Sequence, residues 1–246
     1  MKDEVRRKTS GRLVLSVCLV AGLLLSYGTT ALSDNKDQSK EFEKAAALSA
    51  KAAKAFDQIM QTPDKAIPKS LLDRAEAVAV CPGVVKAAFI VGAEGGRCVV
   101  SRRTAHGWGA PVFFRAIGGS VGPQIGAGST DLVLLFMNQD GLNELLKDKF
   151  ELGAEASAAL GPVGREAAAA TDALLKAEIV SYSRSRGLFA GVDLKGVVIK
   201  PDDDLNEAIY RMKARELLTG SSENTSQSSA NLLAFPLTIK RYSTNR

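Results

Sequence analysis

The sequence predicts an α+β fold: a curved, largely antiparallel, barrel-like sheet of many short strands with flanking helices. Three observations predict it. Residues 37–62 (DQSKEFEKAAALSAKAAKAFDQIMQT) place Phe42, Ala45, Leu48, Ala52, Ala55, Phe56 and Ile59 at three- and four-residue steps, the spacing of one helix face. From Ala77 onward the texture changes to short apolar runs punctuated by glycine, as in AVAVCP, VVKAAFIVGAEGGRCVVSRR and WGAPVFFRAIGG. No long helical pattern separates these runs, which favours antiparallel pairing over βαβ units.

The first helix is closed by Pro63, and Lys44, Lys51 and Lys54 lie away from much of its apolar stripe. A second, short helix is expected over Pro68–Glu76, with proline in its first turn. Gly92, Gly95 and Gly96 are expected to mark a hairpin end, and DLVLLFMN to be a buried strand. A third helix covers 140–150, with Leu142, Leu145, Leu146 and Phe150 on one face. Residues 150–164 suit a strand or an irregular arm, and Ala167–Ala170 suit a helix or a packed loop. AEIVSYSRSRG and LFAGVDLKGVVIKP read as a strand pair. Pro201 and Asp202–Asp204 then open a final helix, with Leu205, Ala208, Ile209 and Met212 inward and Gly220 as its stop. The tail LLAFPLTIKRYSTNR is expected to dock as an edge segment or to stay loose.

At 246 residues, with 46% hydrophobic and 24% charged side chains, the chain suits one globular domain with tails. Its formal charge is +5, but five cations and two anions fall in the first twelve residues, so the remainder carries only +2. That balance argues against a nucleic-acid binder. The basic start is followed by an apolar run, Leu13–Gly28, and by small residues at Thr29 and Ala31, the order of a secretory signal. Residues 1–31 are therefore expected to be a signal peptide, 36–220 the domain, and 221–246 a polar linker with a tail. The run is short against the ~20 residues that span a bilayer, although a retained anchor is the alternative. Cys18 does not read as a lipidation site, because Val17 precedes it and apolar residues continue to Leu25. The expected location is periplasmic or secreted, with peripheral membrane association. Export permits a bridge between Cys81 and Cys98, and two buried free thiols are the alternative.

No combination of residues supplies a complete catalytic site. His106 is the single histidine, no GxSxG elbow accompanies it, and no Cys–His spacing suits zinc. IGGSVGPQIGAGST lacks the Lys-Ser/Thr ending of a phosphate loop, and DLVLLFMN follows it as a strand. Its glycines are expected to permit strand bends and close packing. No catalytic residue, cofactor or metal is expected. Asp131 is expected to cap a turn or pair with Arg115, and Trp108, Phe113 and Phe114 are expected in the core, a lipid-facing rim being the alternative.

Three segments in this order, KAAFIVGAEGGR, GWGAPVFFRAIGGSVGPQIGAGSTDLVLLFMN and AEIVSYSRSRGLFAGVDLKG, resemble the SYLF domain family of bacteria and eukaryotes, over Ala75–Tyr210. The resemblance implies a non-enzymatic module that binds phospholipid or phosphoinositide, here an exported bacterial-type member of the cell envelope. Some eukaryotic members also bind actin, which is not expected for an exported chain. The family's amphipathic first helix corresponds to residues 40–60 here. Many relatives are expected to carry Phe and Gly where Cys81 and Cys98 stand, and this paired departure favours the bridge.

The candidate lipid-binding residues are Lys44, Lys51 and Lys54 on the first helix, Arg102 and Arg103 at one strand end, and Arg184 and Arg186 on another strand. Arg184 and Arg186 share a strand face and suit a lipid phosphate. Lys195 and Lys200 are further candidates. The expected partner is phospholipid or a membrane surface. The alternative is a structural or protein-interaction module of the envelope without a lipid ligand.

Overall fold

The computed structural model describes residues 37–62, 66–152, 158–161, 177–187, 196–220 and 230–244, with backbone alone at 86–92, 120–127, 158, 186 and 187. The expected signal segment, Ala167–Ala170, Lys195 and the 221–229 linker lie outside the described residues. The chain divides into two units, Met1–Glu43 and Lys44–Arg246. Within the first, residues 37–43 are helical, and Lys40 pairs with Asp37 at 3.2 Å.

The second unit is built on two long strands, β1 (Ala77–Thr104) and β3 (Val112–Phe136), joined through the short β2 (Gly107–Trp108). The expected series of short strands is thus two continuous ones, antiparallel from Ala77↔Phe136 to Val100↔Val112. Nor do Gly92, Gly95 and Gly96 turn the chain. They stay extended and paired with Ser120, Ile117 and Ala116, while the reversal falls at 105–106. A glycine run in the β region lets a strand bend without ending it.

Register shifts between Cys81 and Val84, and between Phe89 and Val91, kink the ribbon and fold it over. One half, β1 from Ala77 to Phe89 with β3 from Ile125 to Phe136, adds β6 (Ile179–Gly187) and then β5 (Ala158–Leu160), which runs parallel to β6. The other half adds β7 (Val197–Pro201) and β4 (Phe150–Glu151). The predicted strand pair is therefore two separate neighbours of β3: β6 and β7 each pair with β3, at opposite ends, and, among the described residues, not with each other.

The two halves close on one another. Cys81 and Cys98 are 17 residues apart in one strand, a span of ~56 Å if straight. They nevertheless form a disulfide, with Cα atoms 4.0 Å apart. At Gly96 a Cβ would stand 3.0 Å from a Val84 methyl and 3.2 Å from its Cα, so only glycine allows this crossing without displacement. Further along, the Arg103 amide donates to the Glu76 carbonyl at 2.8 Å. The result is the curled half-barrel that the sequence predicts.

Alternation sorts the side chains. Ala77, Ala79, Cys98, Val100, Phe114 and Leu134 face the enclosed core, which Leu142 and Leu145 of α3 (Gln139–Leu145) and Leu218 complete. Phe150, expected on α3, is a buried β4 residue, and its ring meets Phe136 edge-on at 6.2 Å. Helix α3 ends early, and the chain enters the sheet. Phe113 and Phe114 are core, as predicted, whereas Trp108, also expected there, is only half-buried.

The outward sides are covered by helices. Val78, Val80, Val133, Leu135 and Val180 are fully buried on the first half. From Lys44 onward, helix α1 (residues 37–60) lies over this side, held by a hydrogen bond from Arg184 to Gln58. The tail is neither an edge segment nor loose: Ala234–Tyr242 forms a helix, α6, whose Phe235 and Tyr242 rings meet Phe56 at 6.3 and 6.0 Å. Ser49 fixes the start of α6, donating to the Leu232 carbonyl and accepting from the Phe235 amide. The predicted second helix is α2 (Lys69–Arg74). The predicted final helix is two, α4 (Asp203–Tyr210) and α5 (Ala214–Thr219), broken at Arg211, whose φ of 56° is left-handed. Leu205 and Asn206 are its buried residues, whereas Ala208, Ile209 and Met212 are half-buried.

Candidate functional site

The charged groups fall into three kinds of setting. The first is structural. Arg103 lies at the end of α2, where its guanidinium donates to the carbonyls of Ala75 (2.9 Å) and Leu72 (2.7 Å). These are carbonyls that a helix C-terminus leaves unsatisfied, and a cation suits them. The same guanidinium stacks 4.3 Å from the Trp108 ring. Arg102 points to the other side of β1 and donates to the Leu218 carbonyl, pinning α5. Both arginines proposed at this strand end are thus engaged with the fold.

The second setting is the bulge beside Cys81. Gly83 takes a φ of +62°, and its amide donates to Asp131 Oδ1 at 2.9 Å. Asp131 Oδ2 accepts from Arg184 at 2.7 Å, and the same Arg184 nitrogen reaches Gln58 of α1. Asp131 therefore braces a bulge in β1 rather than capping a turn, and its arginine is Arg184. Arg115 pairs with Asp202 instead. The cause is register: Asp131 stands opposite Arg184 across β3 and β6, whereas Arg115 stands at the far end of β3. The backbone places Arg186 opposite Ser129, two residues from Arg184 on the same strand face.

The third setting is open surface. Lys44, Lys51 and Lys54 of α1 are exposed, while Ala45, Ala52, Ala55, Phe56 and Ile59 are buried beneath them. The apolar face of α1 is consumed inside the protein, so the helix offers charge outward. His106 sits exposed in the β1–β2 turn, with only its amide bonded to the Thr104 hydroxyl.

One cluster escaped the sequence. Asp202, one of three carboxylates read as helix-start charge, is only 1% exposed and lies between Arg115 and Arg97, the latter 3.6 Å away. Asp204 also reaches Arg115, at 3.3 Å. Hydrogen bonding to Asp202 is the main reason that Arg115 holds its proton more tightly than usual, burial opposing it. No local pattern marks this cluster, because its members come from two strands and a helix start. Burial raises the Tyr182 hydroxyl well above its usual range. Among the described residues no three His, Cys, Asp or Glu side chains gather as metal ligands would.

These features define an α+β half-barrel domain whose charges serve the fold or face solvent. The chain belongs to the SYLF (Ysc84) domain family, whose model, described as "Las17-binding protein actin regulator", matches residues 117–235. It is 36% identical over 63% of its length to the SH3 domain-containing protein PJ696.02 of Schizosaccharomyces pombe, covering 37% of that protein. It is 30% identical over 78% of its length to the human SH3 domain-containing YSC84-like protein 1, covering 58% of it. To LAS seventeen-binding protein 3 of Saccharomyces cerevisiae it is 33% identical over 64% of its length, covering 35% of that protein. The chain thus spans between about a third and three fifths of these relatives. No solved structure matches it.

Proposed function

We propose that the protein is an exported, non-enzymatic module that binds the phosphate groups of membrane lipids at a cell envelope. The observation that carries this reading is the outward row of Lys44, Lys51 and Lys54 on a helix whose apolar side is already buried. Membership of the SYLF family supports it, as does the signal-like order of residues 1–31. Cations held at an anionic surface each contribute about 1 kcal/mol, an attraction that salt screens.

Flotation with liposomes tests the reading, using the chain from Leu32, which keeps the whole compact unit Lys44–Arg246 and removes the apolar leader. Association with anionic vesicles at low salt, reduced in a Lys44→Gln, Lys51→Gln, Lys54→Gln variant, is the expected result. No association with anionic or zwitterionic vesicles would remove the lipid reading.

The relatives' names motivate a second reading, a protein-interaction module, since the family description is of a Las17-binding actin regulator. A stoichiometric protein partner recovered with lipid absent would favour it. Actin itself is not the partner proposed for an exported chain.

A further inference from the structure

With the apolar side of α1 buried, any apolar contact with a bilayer has to come from another surface. Among the described residues the exposed large hydrophobic side chains are Val85, Ile117, Leu160 and Leu237. Ile117 has a distinctive setting. It lies two residues from Arg115 on β3, and so on the same face of the sheet. Arg115 stands directly opposite Arg97 of β1 on one side and Lys200 of β7 on the other. Three cations from three strands therefore form one row across the outward face. Directly opposed like charges destabilise a sheet, so the row costs stability and calls for a compensating role.

Compensation within the protein is partial. Asp202 is 1% exposed and neutralises the row from beneath, while Arg97 remains 47% exposed. Asp204, 93% exposed, touches Arg115 from the solvent side at 3.3 Å. Beside the row the face is low and weakly polar: Gly95 and Gly119 are exposed and add no side chain, and Ile117 is 46% exposed. Beyond the row the face is closed by α4, whose Asn206 side chain bonds both the amide and the carbonyl of Phe113 at 2.9 Å.

We infer that this face, with Arg97, Arg115 and Lys200 on lipid phosphates and Ile117 at the acyl boundary, is a second docking surface for an anionic bilayer, distinct from the lysines of α1. The inference rests on the lipid reading above and assigns it a place on the sheet. Charge complementarity selects an anionic partner, and a flat ledge with one exposed aliphatic side chain selects a bilayer over a nucleic acid. Asp204 occupies Arg115 in the free protein and competes with the lipid phosphate.

The test uses the chain from Leu32 in the Lys44→Gln, Lys51→Gln, Lys54→Gln background, so that the sheet face is read alone. Flotation compares phosphatidylcholine vesicles with and without phosphatidylserine. Arg97→Gln with Lys200→Gln is expected to weaken binding to the anionic vesicles about 25-fold, roughly fivefold per charge removed. Asp204→Asn removes the competitor and is expected to strengthen it about fivefold. Because Asp204 is almost wholly exposed, this second variant remains informative if the double variant folds poorly. Binding in this background that neither change alters would overturn the inference and leave the lipid reading intact. So would binding that disappears with the α1 lysines. Failure of the unsubstituted chain to bind any vesicle overturns both.

Discussion

At the scale of single residues, side-chain chemistry is decided by what the backbone brings alongside. Tyr242 illustrates this. Its hydroxyl donates to Asp57 at 2.6 Å, and that bond, with burial, raises its pKa from the usual 10.0. A raised pKa in the folded state means that the native protein holds the proton more tightly than the unfolded chain. The resulting stability is fully present below the unfolded value and is lost as pH rises above about 10. Urea unfolding at stepped alkaline pH should therefore show stability falling with pH, and Tyr242→Phe should flatten part of that slope. An unchanged slope in the variant would show that the Asp57 contact does not govern it. Arg103 and Arg184 teach the same lesson differently: cations that look available in a sequence become helix caps and ion-pair partners once their neighbours are known.

Between elements, the decisive contact is α6 on α1. A helix of nine residues is marginal alone in water, so α6 exists because Phe235, Ile239 and Tyr242 have a surface to cover. That surface is the buried stripe of α1, and Ser49 sets its register by bonding both ends of the turn that starts α6. Phe235 is fully buried, so Phe235→Ala should destabilise the protein by about 3–5 kcal/mol. Chemical denaturation would read this loss directly. A loss under 1 kcal/mol would mean that α6 contributes little to holding α1 in place.

For the whole molecule, the defining event is the return of β1 upon itself. The disulfide joins its two halves, and both sulfur-bearing residues are fully buried. Cross-linking residues 17 apart restricts the unfolded chain enough to contribute about 3 kcal/mol. Adding reductant to the denatured protein should therefore lower the urea midpoint by that equivalent, and reduction of the native protein should be slow, because the sulfurs are reached only on opening. Rapid reduction under native conditions with no change in midpoint would contradict this account of closure.

Local information was enough for the class of fold, for α1 and α2, for the aromatic core positions Phe113 and Phe114, and for the strands as apolar runs, because each depends on periodicity or on neighbours a few residues away. The resemblance in three glycine-rich segments was likewise enough for the family. Only the tertiary structure decided that Gly92, Gly95 and Gly96 continue a strand, that β6 and β7 take opposite ends of β3, and that the tail becomes a helix. It alone aligned Arg97, Arg115 and Lys200 over a buried Asp202. The physical reason is the same in each case: strand pairing and ion pairing join residues tens of positions apart, and no pattern within a short window records which distant partner will stand opposite.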